Sequence, residues 1–219
     1  TTPWDAHTTV CMMSVAKGIT AICFNMLIAR GLVHPDDRVT QYWPEYGQNG
    51  KANTLIRHFL DHTAAVPVLT TNTLWPGAMF DREAMIHALE QQEPLWEIGT
   101  KAAYHVHHQG FLLGEIMRRI TGTTVGPFLR REITDPLRAE YWIGRMSAAE
   151  QATVAEVMPN MNARLFAAKE HEDHTSLRSL AFKQNPLEPW ATTMNSAIWK
   201  SCEIASGSGH GNARGVAKI

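Results

Sequence analysis

Residues 11–31 read Cys-Met-Met-Ser-Val-Ala-Lys-Gly-Ile-Thr-Ala-Ile-Cys-Phe-Asn-Met-Leu-Ile-Ala-Arg-Gly. Apolar side chains fall at Val15, Ile19, Ile22, Cys23, Met26 and Leu27, close to the ~3.6-residue period of an α-helix. The spacing predicts a helix that begins near Ser14, with Gly31 placed to cap its far end. Ser14 and Lys17 lie three apart, so on this helix they share a face. A serine is a poor nucleophile until a neighbouring base takes its proton. A lysine can be that base when burial and nearby positive charge weaken its hold on its own proton. The helix N-terminus adds partial positive charge, which favours the alkoxide and the oxyanion. The spacing alone leaves a second reading open: a helix-capping serine beside a solvated lysine.

Working outward, residues 1–13 read as an extended or loop lead-in, and His34-Pro35-Asp36-Asp37 as a turn. A short helix is expected over about 54–62, with Leu55, Phe59 and Leu60 inward, followed by a loop from Ala64 to Gly77. Asp81 can N-cap a helix carrying Met85, Ile86 and Leu89. Another helix is expected from Gly110 to Ile120, stopped by Gly122, and a further one from Val125 to Thr134, stopped before Pro136. Ser147-Ala148-Ala149-Glu150 is a capping box. Periodicity is weak from His171 to Pro189 and returns from Asn212 to Ile219. Val39–Trp43 and Tyr141–Gly144 are the best strand candidates. Ser206-Gly207-Ser208-Gly209 reads as a flexible loop. The chain therefore reads as mostly helical, without internal repeats.

The totals exclude several functions. The chain has 219 residues, 20 basic and 21 acidic side chains and a net charge of -1, so nothing favours nucleic acid or an anionic membrane surface as partner. No apolar run approaches the roughly 18 residues that span a bilayer. Cys11, Cys23 and Cys202 fit no zinc spacing. They read as small buried hydrophobes in a reducing compartment, which favours the cytoplasm. Cys11 stands close to Ser14, and nothing else marks it as a reactive thiol. No Gly-x-Ser-x-Gly elbow is present, which argues against an ordinary α/β-hydrolase. The cluster His105, His107 and His108 lacks an acidic partner, and His171-Glu172-Asp173-His174 lacks the spacing of a zinc-protease helix, so no metal and no cofactor are expected. His58 and His62 share a helical face, where structural hydrogen bonding is the expected role.

The stretch from Cys11 to Gly31 resembles the nucleophile helix of the serine β-lactamase and penicillin-binding-protein superfamily. Asp36-Asp37-Arg38-Val39, Tyr42-Trp43-Pro44-Glu45 and Leu55 to Pro67 resemble the segments that follow it, with Ala65 and Val66 where Gly-Leu is usual. An alanine tolerates positive φ poorly, so this turn is expected to be remodelled. Trp96-Glu97-Ile98-Gly99 looks like the family's lead-in to its catalytic tyrosine, and Gly110-Phe111-Leu112-Leu113-Gly114 like the helix after it. The resemblance implies an α+β fold of the β-lactamase/transpeptidase type. Residues 1–219 would cover the central, mostly helical part of one domain, truncated at both ends, without most of its antiparallel sheet; a compact, divergent version is the other reading.

By the same resemblance Ser14 is the nucleophile, Lys17 the base, and Tyr104 the general base or proton shuttle; taken alone, Tyr104 also fits a core or interface tyrosine. Many family members carry an asparagine two residues after that tyrosine to hold the substrate's amide. Here Val106 stands in its place and offers no side-chain hydrogen bond, which favours esters over β-lactams. Tyr104-His105 is similar to the pair in family VIII carboxylesterases, and His105 is expected at the substrate or polarising the tyrosine. The implied partner is a small-molecule ester or amide. The family's third motif, a Lys-Thr-Gly or His-x-Gly strand supplying one oxyanion-hole N–H, has no counterpart here. Two rivals therefore stand beside the ester hydrolase: a non-catalytic binding protein of the same fold, and a β-lactamase or D-alanyl peptidase.

Overall fold

The computed structural model describes residues 3–70, 74–75, 77–158, 176–177, 180–181 and 190–219. The element order begins with strand β1 (Val10–Met13) and helix α1 (Val15–Ala29). Helices α2 (Arg57–Leu60), α3 (Arg82–Gln91), α4 (His108–Thr121), α5 (Val125–Leu129) and α6 (Asp135–Leu137) follow. Then come β2 (Tyr141–Ile143), α7 (Ala148–Ala152), α8 (Trp190–Asn195), α9 (Ala197–Ser201), β3 (Gly209–Gly211) and α10 (Ala213–Lys218). The three strands form one antiparallel sheet in the order β1-β3-β2. His210 is the register mark, opposite Cys11 on one side and Trp142 on the other. The architecture is thus mostly helical with a small antiparallel sheet.

Helix α1 is the spine. Its buried residues are Ala16, Ile19, Thr20, Cys23, Phe24 and Leu27, and they pack against α4 and α5. Burying each large apolar side chain contributes roughly 1.5–3 kcal/mol. The helix is rotated relative to the sequence expectation: Val15 and Ile22 are 41% and 39% exposed. Both faces of α1 carry apolar residues, so periodicity located the helix without fixing which stripe turns inward. Gly31 takes a left-handed φ of 69° just beyond the helix, as its position suggested. Asp81 accepts from Ala84 N–H, and Ser147 with Glu150 closes a full capping box.

One expectation is sharpened and three are corrected. Residues 10–13 of the lead-in, read as extended or loop, pair as β1, with a partner strand, β3, about 200 positions away that local pattern cannot reveal. Val39–Gln41 forms a 3-10 turn and not a strand; Val39 N–H donates to Thr54 O and Ile56 N–H to Asp37 O, so flanking residues take the pairing a strand would use. The same contacts hold Thr54 and Leu55 out of α2, which begins only at Arg57. Helical backbone does not end before Pro136: a π turn over Arg130–Thr134 continues into α6, with Pro136 in the first turn, where the missing N–H costs little. Among the described residues no helix is long and apolar enough to cross a membrane. The weak stretch 171–174, with its two histidines, lies outside the described residues.

Candidate active site

Strand β1 brings the chain to Met13, whose φ of 46° turns it into α1. Ser14 then occupies the N-cap position with φ −68° and ψ −3°, and its side chain makes no cap hydrogen bond. A capping serine takes extended angles and accepts from an N–H of the first turn. Ser14 does neither, which removes the capping reading. Its residue is exposed, and its Oγ lies 3.4 Å from Lys17 Nζ.

Lys17 runs inward from the same helical face. Its Nζ donates to Val106 O at 2.7 Å and to Ser206 O at 2.9 Å. Among the described residues no carboxylate pairs with it. Burial pushes the amine down to about 7, because an ammonium there loses water without gaining a counter-charge. A neutral amine has two N–H groups and one lone pair on a tetrahedral nitrogen. Two carbonyls engage both N–H groups, and Ser14 Oγ is the remaining polar neighbour. The geometry suits proton transfer from the serine hydroxyl to the amine.

Tyr104 comes from the non-helical segment before α4 and is 43% exposed. Its ring centroid is 4.7 Å from Lys17 Nζ. The three residues singled out in the sequence are therefore brought together around one amine. His105 is not placed with them in the open: it is buried at 1% exposure, stacked on His62 at 5.5 Å, and its Nδ1–H donates to Ala103 O. Burial pushes its imidazole down to about 3, so it stays neutral. The expected substrate contact for His105 has no exposed surface to act through. His108 is likewise spent, donating Nδ1–H to Val66 O. Cys11 accepts from Trp199 Nε1–H, and burial raises its thiol pKa, which removes it as a reactive group.

Sequence reasoning missed the wall that holds Lys17. The segment read as a flexible loop is buried at Ser206 and Ser208. Thr20 Oγ1 on α1 donates to Ala205 O at 2.7 Å, and Ser206 Oγ donates to His107 O at 2.7 Å. Ser208 Oγ closes the turn, accepting from Ile204 N–H and donating to Cys202 O. Helix α4 presses on this turn at Gly110, where a Cβ would run into Ser206 N and lie 2.8 Å from Ala205 C. Glycine and serine here are small residues for close packing, not flexible ones. The available signal was Gly110, a helix-interior glycine, which marks a close backbone approach.

Ala65, in the turn expected to be remodelled, takes a left-handed backbone. It adopts φ 59°, and His62 φ 65°. Leu95 N–H donates to Ala65 O, and Gly99 N–H to Thr63 O. These cross-bonds hold the backbone in a conformation that alanine alone disfavours.

A helical frame with a small antiparallel sheet, and a serine one helical turn from a half-buried lysine at the start of its central helix, define a protein of the β-lactamase/transpeptidase type. The chain belongs to the Beta-lactamase family, whose sequence profile matches residues 1–219. It is 30% identical over 225 residues to the esterase/beta-lactamase LipL of Mycobacterium tuberculosis, covering 99% of this chain and 51% of LipL. A family VIII carboxylesterase superposes with a TM-score of 0.86 at 28% identity, covering 99% of this chain and 56% of that one. A penicillin-binding protein homologue from Caulobacter crescentus gives 0.84 at 30%, covering 99% and 55%. The chain thus spans about half the length of the relatives it matches.

Proposed function

We propose that this chain carries the nucleophile, base and proton shuttle of a serine hydrolase that acts on small esters through an acyl-enzyme. The observation that carries the reading is the Lys17 amine, engaged by two carbonyls with Ser14 Oγ at 3.4 Å. Neutral Lys17 takes the Ser14 proton as Oγ attacks the ester carbonyl. The Ser14 N–H at the start of α1 helps hold the oxyanion. Tyr104 passes the proton to the departing alkoxide, and the alcohol leaves. Water then attacks the acyl-serine by the reverse route, releasing the acid and restoring Ser14.

Esters are favoured over β-lactams because Val106 contributes only its carbonyl, which Lys17 already occupies. Its apolar side chain is buried and offers an amide no hydrogen bond. The name of one relative, a family VIII carboxylesterase, supports this choice, while that of LipL, an esterase/beta-lactamase, spans both substrates.

Fluorophosphonate labelling, alongside turnover of a short-chain nitrophenyl ester and nitrocefin, tests the reading. Labelling and ester turnover should both vanish in Ser14→Ala. A mutant that still labels at the parent rate removes Ser14 as the nucleophile. Nitrocefin turnover exceeding ester turnover removes the substrate assignment.

A further inference from the structure

Tyr104 has no helix or strand of its own to hold it, since residues 101–105 are irregular. The groups that flank it are nevertheless fixed, and by one residue. Ala103 N–H donates to the His62 carbonyl at 3.1 Å. His105 N–H donates to His62 Nδ1 at 3.2 Å. The two bonds straddle Tyr104, and the His62 ring meets the tyrosine ring edge-on, with centroids 5.0 Å apart and planes at 62°.

His62 is itself well anchored. It sits in the left-handed region, Thr63 N–H beside it donates to His58 O, and Asp61 Oδ1 accepts from the same N–H. Because Nδ1 accepts from a backbone N–H, it must carry a lone pair, so the ring proton resides on Nε2. Burial disfavours the imidazolium that would break this bond, against the opposing charge of Asp61.

We infer that His62 is the positioning residue for Tyr104: its carbonyl and Nδ1 grip the backbone on either side and its ring limits the tyrosine's sideways movement. The inference rests on the proposed proton-shuttle role of Tyr104. A shuttle works only when its oxygen is held within hydrogen-bonding reach of both proton donor and acceptor, and small displacements are costly. Tyr104 is 43% exposed, so it has fewer packing contacts than a core tyrosine to supply that constraint.

The test is a mutant cycle read as kcat and KM on a nitrophenyl ester, with thermal melting to confirm folding. His62→Ala should lower kcat on the order of tenfold to hundredfold, with KM changed by less than about threefold. In a Tyr104→Phe background the same substitution should have almost no further effect, because the group it positions is gone. His62→Asn should recover most of the rate. Its side-chain oxygen can stand near Nδ1 as an acceptor, and asparagine tolerates positive φ. His62→Gln sets that oxygen one bond too far and should behave like the alanine variant.

Equal losses in both backgrounds would make His62 merely structural and overturn the inference. So would asparagine and glutamine variants that match each other. Should His62→Ala fail to fold, the asparagine–glutamine pair decides. The Ser14→Ala control separates the two levels. Activity that survives Ser14→Ala overturns the hydrolase reading and this one with it. Activity that dies with Ser14→Ala but ignores His62→Ala overturns only the role of His62.

Discussion

Two lysines in this molecule are built almost alike. Lys17 and Lys51 are both drawn inward, both give their ammonium hydrogens to backbone carbonyls, and both lie beside a tyrosine ring, Tyr104 at 4.7 Å and Tyr46 at 5.2 Å. Burial lowers both, Lys17 to about 7 and Lys51 to about 8, the latter opposed by the charges of Glu90 and Glu93. The difference is in the third direction of the nitrogen. Lys51 donates to Gln48 O, Glu90 O and Gln92 O, a set of three that uses every hydrogen of an ammonium and ties the end of α3 to the 3-10 turn over Pro44–Gly47. Lys17 donates to two carbonyls and faces a hydroxyl. A lowered pKa is thus common to both, and only the partner in the third position separates the brace Lys51 from the proposed base Lys17.

The largest effects should split the pair. Lys17→Met should cut ester turnover by on the order of 10²–10⁴-fold while the protein still melts cooperatively. Lys51→Met should do the reverse. It strands three carbonyls, and loss of the cation's bonds should cost about 3 kcal/mol or more, seen as a lower melting temperature, while the folded fraction keeps its rate per molecule. Parent-like turnover in Lys17→Met would erase the distinction.

A pH profile sharpens it next. The charged form of Lys17 cannot accept the Ser14 proton, and half the amines are neutral at about 7. Accordingly kcat/KM should rise tenfold per unit below that point and level off above it. Lys51→Met should leave the profile's midpoint where it was. A profile flat from pH 5.5 to 8 would remove Lys17 as the base.

Smaller effects probe the wall behind Lys17. Gly110→Ala places a methyl against Ala205 and Ser206, which should cost roughly 1–3 kcal/mol and lower kcat by about tenfold through a displaced Ser206 carbonyl. Thr20→Val removes the donor to Ala205 O. Its expected cost is about 1–3 kcal/mol in stability, with only a few-fold loss of rate, since Ser206 Oγ still holds the turn from the other side. Denaturant titration and steady-state kinetics on both variants check the order.

Local signals carried much of this in the sequence. The helix over 15–29, the caps at Asp81 and Ser147, and the Ser14–Lys17 face follow from period and spacing alone. Tyr104 needed the resemblance, because an irregular segment has no period. The unread parts are long-range. Nothing near Ser206 in sequence says that its carbonyl meets Lys17, and nothing near Val10 says that it pairs with Gly211. The rotation of α1 escaped because Val15 and Ile22 are as apolar as the residues that face the core. The expectation for His105 came from its adjacency to Tyr104, and burial at 1% exposure is not legible from adjacency in an irregular segment.

The Ser206 carbonyl has a consequence for the order of assembly. It lies 189 residues after Lys17, so a ribosome finishes α1 long before it makes the group that fixes the amine. Contacts of such separation close late in folding. Until then the lysine is solvated and protonated, and the serine beside it is an ordinary alcohol. On the proposed mechanism, Ser14 of the nascent chain would gain its base only once residues 204–211 have docked, so the timing of reactivity would be written into the order of folding.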